Sequence, residues 1–244
     1  MSQPGSGDST QHPQPAHDVG HTHSDVSGGW LRAATFGAMD GLVSNTALIA
    51  GVAAGESAHT TMVSGIAGLL AGAFSMAIGE YTSVTTSNEQ IESEVRLERR
   101  FLRGRPHAER AELVDMLVDM GMTEKTARAA TEEIHRDEDR AVNFHMVQEI
   151  GIDPAEKPSA RVAAMVSFVM FAIGALIPLF PYLLGYGSLS AGLLCGAGGL
   201  LIAGGLTAPF TRKPVWWAAS RQLMFGAVAV AATYLVGLLV AAVI

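Results

Sequence analysis

The sequence predicts an all-α polytopic membrane protein, with five transmembrane helices and a cytoplasmic three-helix insert between the second and third. Three observations predict it. The 244-residue chain is 49% apolar, only 16% charged and carries 27 glycines, a composition suited to helices packed closely in lipid. Val162–Leu184, Ser188–Phe210 and Gln222–Ile244 each run 23 residues without a charge, more than the ~20 needed to cross the hydrocarbon. All 16 Lys and Arg fall on what would be one side of such a bundle.

Residues 1–29 are rich in Pro, Gly, Ser and His and too poor in apolar side chains to fold. A disordered tail is expected, with His12, His17, His21 and His23 able at most to catch a metal loosely. The first 31 residues contain no Lys or Arg, so no secretory leader is expected. The first span is predicted from about Arg32 to Gly55, interrupted only by Asp40. A Gly-Glu-Ser-Ala-His-Thr turn leads to the second, whose apolar part is Met62–Gly79.

Residues 88–160 form the one sizeable polar insert between spans. The second span should continue into it as a helix to about Arg103. Pro106, after a Gly-Arg break, suits the first turn of a second helix ending near Gly121. Thr123 is the expected N-cap of a third helix running through Glu149 and stopping before Gly151. The last three spans, residues 161–244, follow. Pro178 and Pro181 should kink or end the third, and Trp216 and Trp217 should anchor the fifth at an interface.

With the N-terminus cytoplasmic, the near-side segments are the tail with Arg32, the insert extended to Arg161 and the 211–221 loop, and they hold every Lys and Arg. The far-side turns, 55–60 and 185–188, and the C-terminus hold none. By the positive-inside rule the insert is cytoplasmic and the C-terminus outside or luminal. The lone cysteine, Cys195, lies in an apolar span, which excludes an intrachain disulfide and a Cys-cluster metal site. No basic domain suggests nucleic acid.

Asp40 is the most informative position. A carboxylate near the middle of a span costs on the order of 3 kcal/mol, and no base lies within a turn of it. It must face water or a cation, take up a proton, or form a hydrogen bond between helices. Ser44 and Asn45 follow within about a turn and add oxygen ligands. In the second span Met76, Glu80, Ser83, Ser87, Ile91, Glu94 and Glu98 share one helical face, which extends over roughly 33 Å if unbroken. A thioether near the membrane with carboxylates above it suits Fe²⁺ or Mn²⁺ better than Cu⁺ or Ca²⁺. The plain alternatives are that Met76 packs and that the acids form a solvated face. The insert carries 17 acids between Glu89 and Glu156. Glu94/Glu98, Glu109/Glu112 and His145/Glu149, with Met146 beside the last pair, have spacings that serve a helical metal-loading site as readily as a charged structural helix. Gly68-x-x-x-Gly72 and Gly192-x-x-x-Gly196 favour close helix packing within or between subunits.

Asp40-Gly-Leu-Val-Ser, Ser75-Met-Ala-Ile-Gly-Glu-Tyr-Thr-Ser-Val and the acidic insert closing in Glu149-Ile-Gly-Ile-Asp together resemble the vacuolar iron transporter family, in its bacterial-type form with a cytoplasmic metal-binding insert. The likeness covers nearly the whole chain after about Trp30. It implies a five-span homodimer that moves Fe²⁺ and related divalent ions out of the cytosol in exchange for protons. It also implies that Asp40 and Met76 line the path, and that Glu98, Glu109, Glu112 and Glu149 bind cytoplasmic metal. Two departures stand out: Phe101 occupies a position that is often acidic, and His145 and Met146 stand where Met and Glu ligands are usual. Both imply fewer or more weakly held metals in the insert.

The expected function is therefore proton-coupled export of Fe²⁺ first and Mn²⁺ second, with Zn²⁺ or Co²⁺ as surrogates. No tightly bound cofactor, enzymatic activity or nucleic-acid partner is expected. The lipid bilayer, protons and a second copy of the chain are the other expected partners. The host membrane is expected to be a bacterial plasma membrane, or an organelle membrane in a eukaryote. The rival reading is a membrane-anchored divalent-metal-binding or sensing protein without transport; a mere anchor has no need of a buried acid such as Asp40.

Overall fold

A computed structural model describes residues 29–211 and 213–243; the His-containing tail lies outside these residues. Every regular element among them is helical: α1 (Gly29–Ala53), α2 (Ala58–Gly104), α3 (Pro106–Asp119), α4 (Glu124–Ile134), α5 (Glu138–His145), a π-helical turn (Met146–Ile150), α6 (Ala160–Leu183), α7 (Leu189–Thr211) and α8 (Val215–Val243). Five of them, α1, α2, α6, α7 and α8, are long and apolar enough to cross a membrane. This is the all-α, five-span architecture expected from the sequence.

α1 is the centre of the spanning bundle and touches α2, α6, α7 and α8. Glycine makes its closest contact, with α6. A Cβ on Gly41 would lie 2.2 Å from the Phe171 carbonyl oxygen, and one on Gly174 would lie 2.2 Å from that of Ala38. The backbones touch because neither residue has a side chain. The two glycine motifs singled out from the sequence are also at contacts within the chain, Gly72 against the Phe171 ring and Gly196 against Thr46.

α2 has two environments. Ser57 caps its start, accepting from the Thr60 amide, and no proline interrupts it over 47 residues. Its apolar half packs against α1 and α6, and its polar half carries α3, α5 and the π turn. Arg99 reaches Asp139 at 2.5 Å and Arg103 reaches Glu138 at 2.8 Å, tying the helix to α5. Leu102, Ala141, Val142 and Met146 close the apolar contact beneath these pairs. α3 and α4 form a hairpin over Leu113, Val114, Leu117 and Ala127, turned at Gly121, whose φ of 98° suits glycine.

One detail departs from the sequence reading. The third insert helix is not continuous to Glu149. It stops at Ile134 and restarts at Glu138, and the last turn is π-helical. Asp137 makes the break by capping α5, accepting from the Arg140 amide. The Arg140 side chain donates back to the carbonyls of Ile134 and Glu133, so the freed end of α4 is satisfied as well. The third span runs through Pro178 and ends two residues past Pro181, close to where the prolines lead one to expect its end. Its end is set by Gly185 (φ 86°), where the Gly185 and Tyr186 amides donate to the Tyr182 and Pro181 carbonyls, a Schellman closure.

Candidate metal path and loading site

The sequence-predicted residues gather at two places on α2. Within the spans, Asp40, Ser44 and Asn45 from α1 face Ser75 and Met76 from α2 across a cleft of about 300 Å³. Gly68 and Gly72 leave the room for it, and Phe171 of α6 forms a wall. Ser44 donates to the Asp40 backbone carbonyl at 2.6 Å. Asn45 donates from Nδ2 to the Ala175 carbonyl at 2.6 Å, which leaves its buried Oδ1 without a partner. Among the described residues, no hydrogen bond or ion pair engages the Asp40 carboxylate. The cleft thus offers a carboxylate, an amide oxygen, hydroxyls and a thioether, a donor set for a divalent transition metal.

Glu80 does not line this cleft. One turn further along α2, it accepts an ion pair at 2.6 Å from Arg32 of α1, a base that the sequence reading did not connect with it.

The second place is the insert, where α2, α3, α5 and the π turn converge. Ligand atoms of Glu98, Glu109 and His145 lie within 4.8 Å of one another, and all three residues are buried. His145 Nδ1 is 2.7 Å from Glu149 and 3.5 Å from Glu98. The π turn sets this geometry by widening the helix after His145 while keeping Glu149 within reach; such turns recur at functional sites. Glu112 stays exposed at the rim, and its charge acts on both Glu98 and Glu109. Glu94 does not join the group, and Met146 is packed into the apolar cluster with Leu102 and Val142.

No Lys or Arg pairs with Glu98, Glu109 or Glu149 among the described residues. Burial pushes the Glu98 carboxyl up to about 7; the charges of Glu149, Glu109 and Glu112 add to the rise, and His145 opposes it. Glu109 is raised as well, first by burial and then by Glu112. Glu98 Oε1 and His145 Nε2 are buried with no hydrogen-bond partner. Such a cluster needs either protons or a cation to balance it. Carboxylates with one imidazole suit Fe²⁺, Mn²⁺, Co²⁺ or Zn²⁺, whereas Mg²⁺ and Ca²⁺ prefer oxygen alone.

Sequence reasoning missed His135 and Phe171. The His135 ring stands edge-on to His145 at 5.4 Å between centroids, and its Nδ1 meets the Thr131 carbonyl at 2.9 Å. Burial lowers its proton affinity. Its place depends on the break after α4, for which Asp137 was the readable cap signal. Phe171 sits in an uncharged run of the third span, and nothing local marks it.

A profile of the VIT family matches residues 31–238. The vacuolar iron transporter of Acanthamoeba castellanii is 34% identical over 233 residues, covering 92% of this chain and 84% of that protein. Vacuolar iron transporter 1 of Oryza sativa subsp. japonica is 27% identical over 223 residues, 88% of each chain. Vacuolar iron transporter homolog 4 of the same plant is 59% identical over a shorter stretch of 61 residues, 24% of this chain.

Proposed function

The chain belongs to the VIT family, and from that premise we propose that this integral membrane protein exports Fe²⁺, and secondarily Mn²⁺, from the cytosol in exchange for protons. The observation that carries the proposal is the cleft that holds Asp40 opposite Met76 with no counter-charge. A permanent charge there is costly, so a metal or a proton neutralises it in turn, and that alternation couples the two fluxes. In this reading the insert site collects metal from the cytosol through Glu98, Glu109, His145 and Glu149, and the cleft carries it across.

Asp40 and Ser44 are exposed in the single chain, and only 11% of the apolar window of α2 is buried. An open carboxylate cannot face lipid, which supports a homodimer in which a second copy covers this side. The even confinement of Lys and Arg supports a cytoplasmic insert and an outward C-terminus.

The test is reconstitution into liposomes with an acidic interior, following Fe²⁺ entry and proton exit together. Uptake that persists at the same rate once the pH gradient is collapsed refutes proton coupling. Insert binding without any metal movement by the whole protein refutes transport and favours a sensor.

A further inference from the structure

Glu80 is the acid closest to the cleft along α2, only four residues beyond Met76, or about 6 Å of helix rise. Its side chain is nearly enclosed, 10% exposed, while that of its partner Arg32 is 65% exposed. Arg32 is the sole base on α1 and lies eight residues before Asp40, about 12 Å along the helix. The two helices run antiparallel, so the ion pair bridges them on the insert side of the cleft. The surrounding structure holds the first turn of α1 in place. Gly29 approaches Pro158 of the linker into α6, and Asn88 of α2 donates to the Pro158 carbonyl at 3.0 Å.

We propose that Arg32 is a built-in competitor for the transported cation. With no metal present its guanidinium occupies Glu80 and closes the insert-side mouth of the cleft. An arriving divalent ion takes the carboxylate, and Arg32 swings out into the solvent that already reaches it. Two properties of the pair fit this role. The guanidinium is a planar fork of donors that matches a carboxylate, so it fills Glu80 while no metal is there. An ion pair with one partner this exposed is weak, so displacement is reversible. A singly charged ion gains less from Glu80 than a doubly charged one at the same distance, so the latch also discriminates against Na⁺ and K⁺. This inference rests on the transport reading above.

The experiment is the concentration dependence of Fe²⁺ uptake by the full-length protein in liposomes, with ascorbate keeping the metal reduced. Arg32→Gln should lower the half-saturating concentration roughly two- to fivefold, the size expected for an exposed pair, and Na⁺ should then inhibit uptake. Glu80→Gln should raise the half-saturating concentration, and adding Arg32→Gln to it should change nothing further. Where Arg32→Gln does not fold, Arg32→Lys should show a smaller shift of the same sign. The proposal is overturned if either Arg32 variant changes only the maximal rate, or if Arg32→Gln acts equally in the Glu80→Gln background. Wild-type vesicles that take up no metal refute transport itself, and this inference with it.

Discussion

Metal binding to the insert should weaken about tenfold between pH 8 and pH 6, and Glu98 should be the main cause. Its carboxyl titrates near 7 in the folded protein, against 4.5 for an ordinary glutamate. At pH 8 about nine-tenths of it is ionised and at pH 6 about one-tenth, and only the ionised form ligates. Glu109, raised in the same direction, steepens the fall. The sign carries over to stability. A group whose proton affinity rises on folding stabilises the fold below its unfolded pKa and loses that contribution as the pH climbs through the folded one. The metal-free insert should therefore be most resistant to unfolding in mild acid and lose resistance between about pH 4.5 and 7, and added metal should restore it. The assay is Co²⁺ titration by calorimetry of the Asp40→Asn protein, in which the membrane cleft contributes less. Running it in buffers of different ionisation enthalpy counts the protons released. Glu98→Gln should bind more weakly at pH 8 and show a flatter pH profile. An affinity equal at pH 6 and 8, or a Glu98→Gln profile as steep as wild type, would refute the reasoning.

Other substitutions test the remaining parts. Asp40→Ala should abolish proton-driven Fe²⁺ uptake while leaving Co²⁺ binding to the insert intact; transport at the wild-type rate would remove Asp40 from the path. Gly174→Ala drives a methyl to within 2.2 Å of the Ala38 carbonyl and should cost about 1–3 kcal/mol, read as a lower melting temperature in detergent. Uptake should fall with it, because shifting α6 also moves Phe171. Gly79→Ala, which meets nothing within 4 Å, is the control and should be neutral or slightly stabilising. Leu113→Ala, at a fully buried position of the insert hairpin, should cost about 2–5 kcal/mol. It should weaken Co²⁺ binding through the loss of Glu109's support, four residues earlier on α3.

The spans were readable because lipid imposes a simple rule: an uncharged run of 23 residues has few other uses. Asp40 was readable for the same reason, as a violation of that rule. The insert was harder. Thr123 and Pro106 announced the starts of two helices, and both residues hold those positions. The break at 135–137 went unread because the apolar and charged periodicity continues across it, and the Asp137 cap competes with that pattern. The pairing of Arg32 with Glu80 spans 48 positions, and no local pattern encodes it. The same holds for Phe171, whose role depends on α6 lying against Gly72.

The two candidate sites are joined by one uninterrupted helix, with Met76 near its middle and Glu98 near its C-terminal end. Met76 and Glu98 are separated by 22 residues of uninterrupted α2, about 33 Å of rise, so no single ion is shared between them. On the proposed route an ion leaving the insert passes Ser87 and Ser83, both exposed, and meets Glu80 before Met76. Carboxylates at Glu98 and Glu80, with the hydroxyls of Ser87 and Ser83 between them, are the donors such a route would use. In the proposed exchange, protons follow the same axis. Metal entering the insert would displace a proton from Glu98, whose carboxyl is pushed up to about 7, and metal leaving the cleft would be replaced by protons from the far side. On that proposal the insert sets how much metal is offered at a given cytosolic pH, and Asp40 sets the exchange. A protein lacking the insert's acids should still couple metal to protons but should lose its steep response to cytosolic pH.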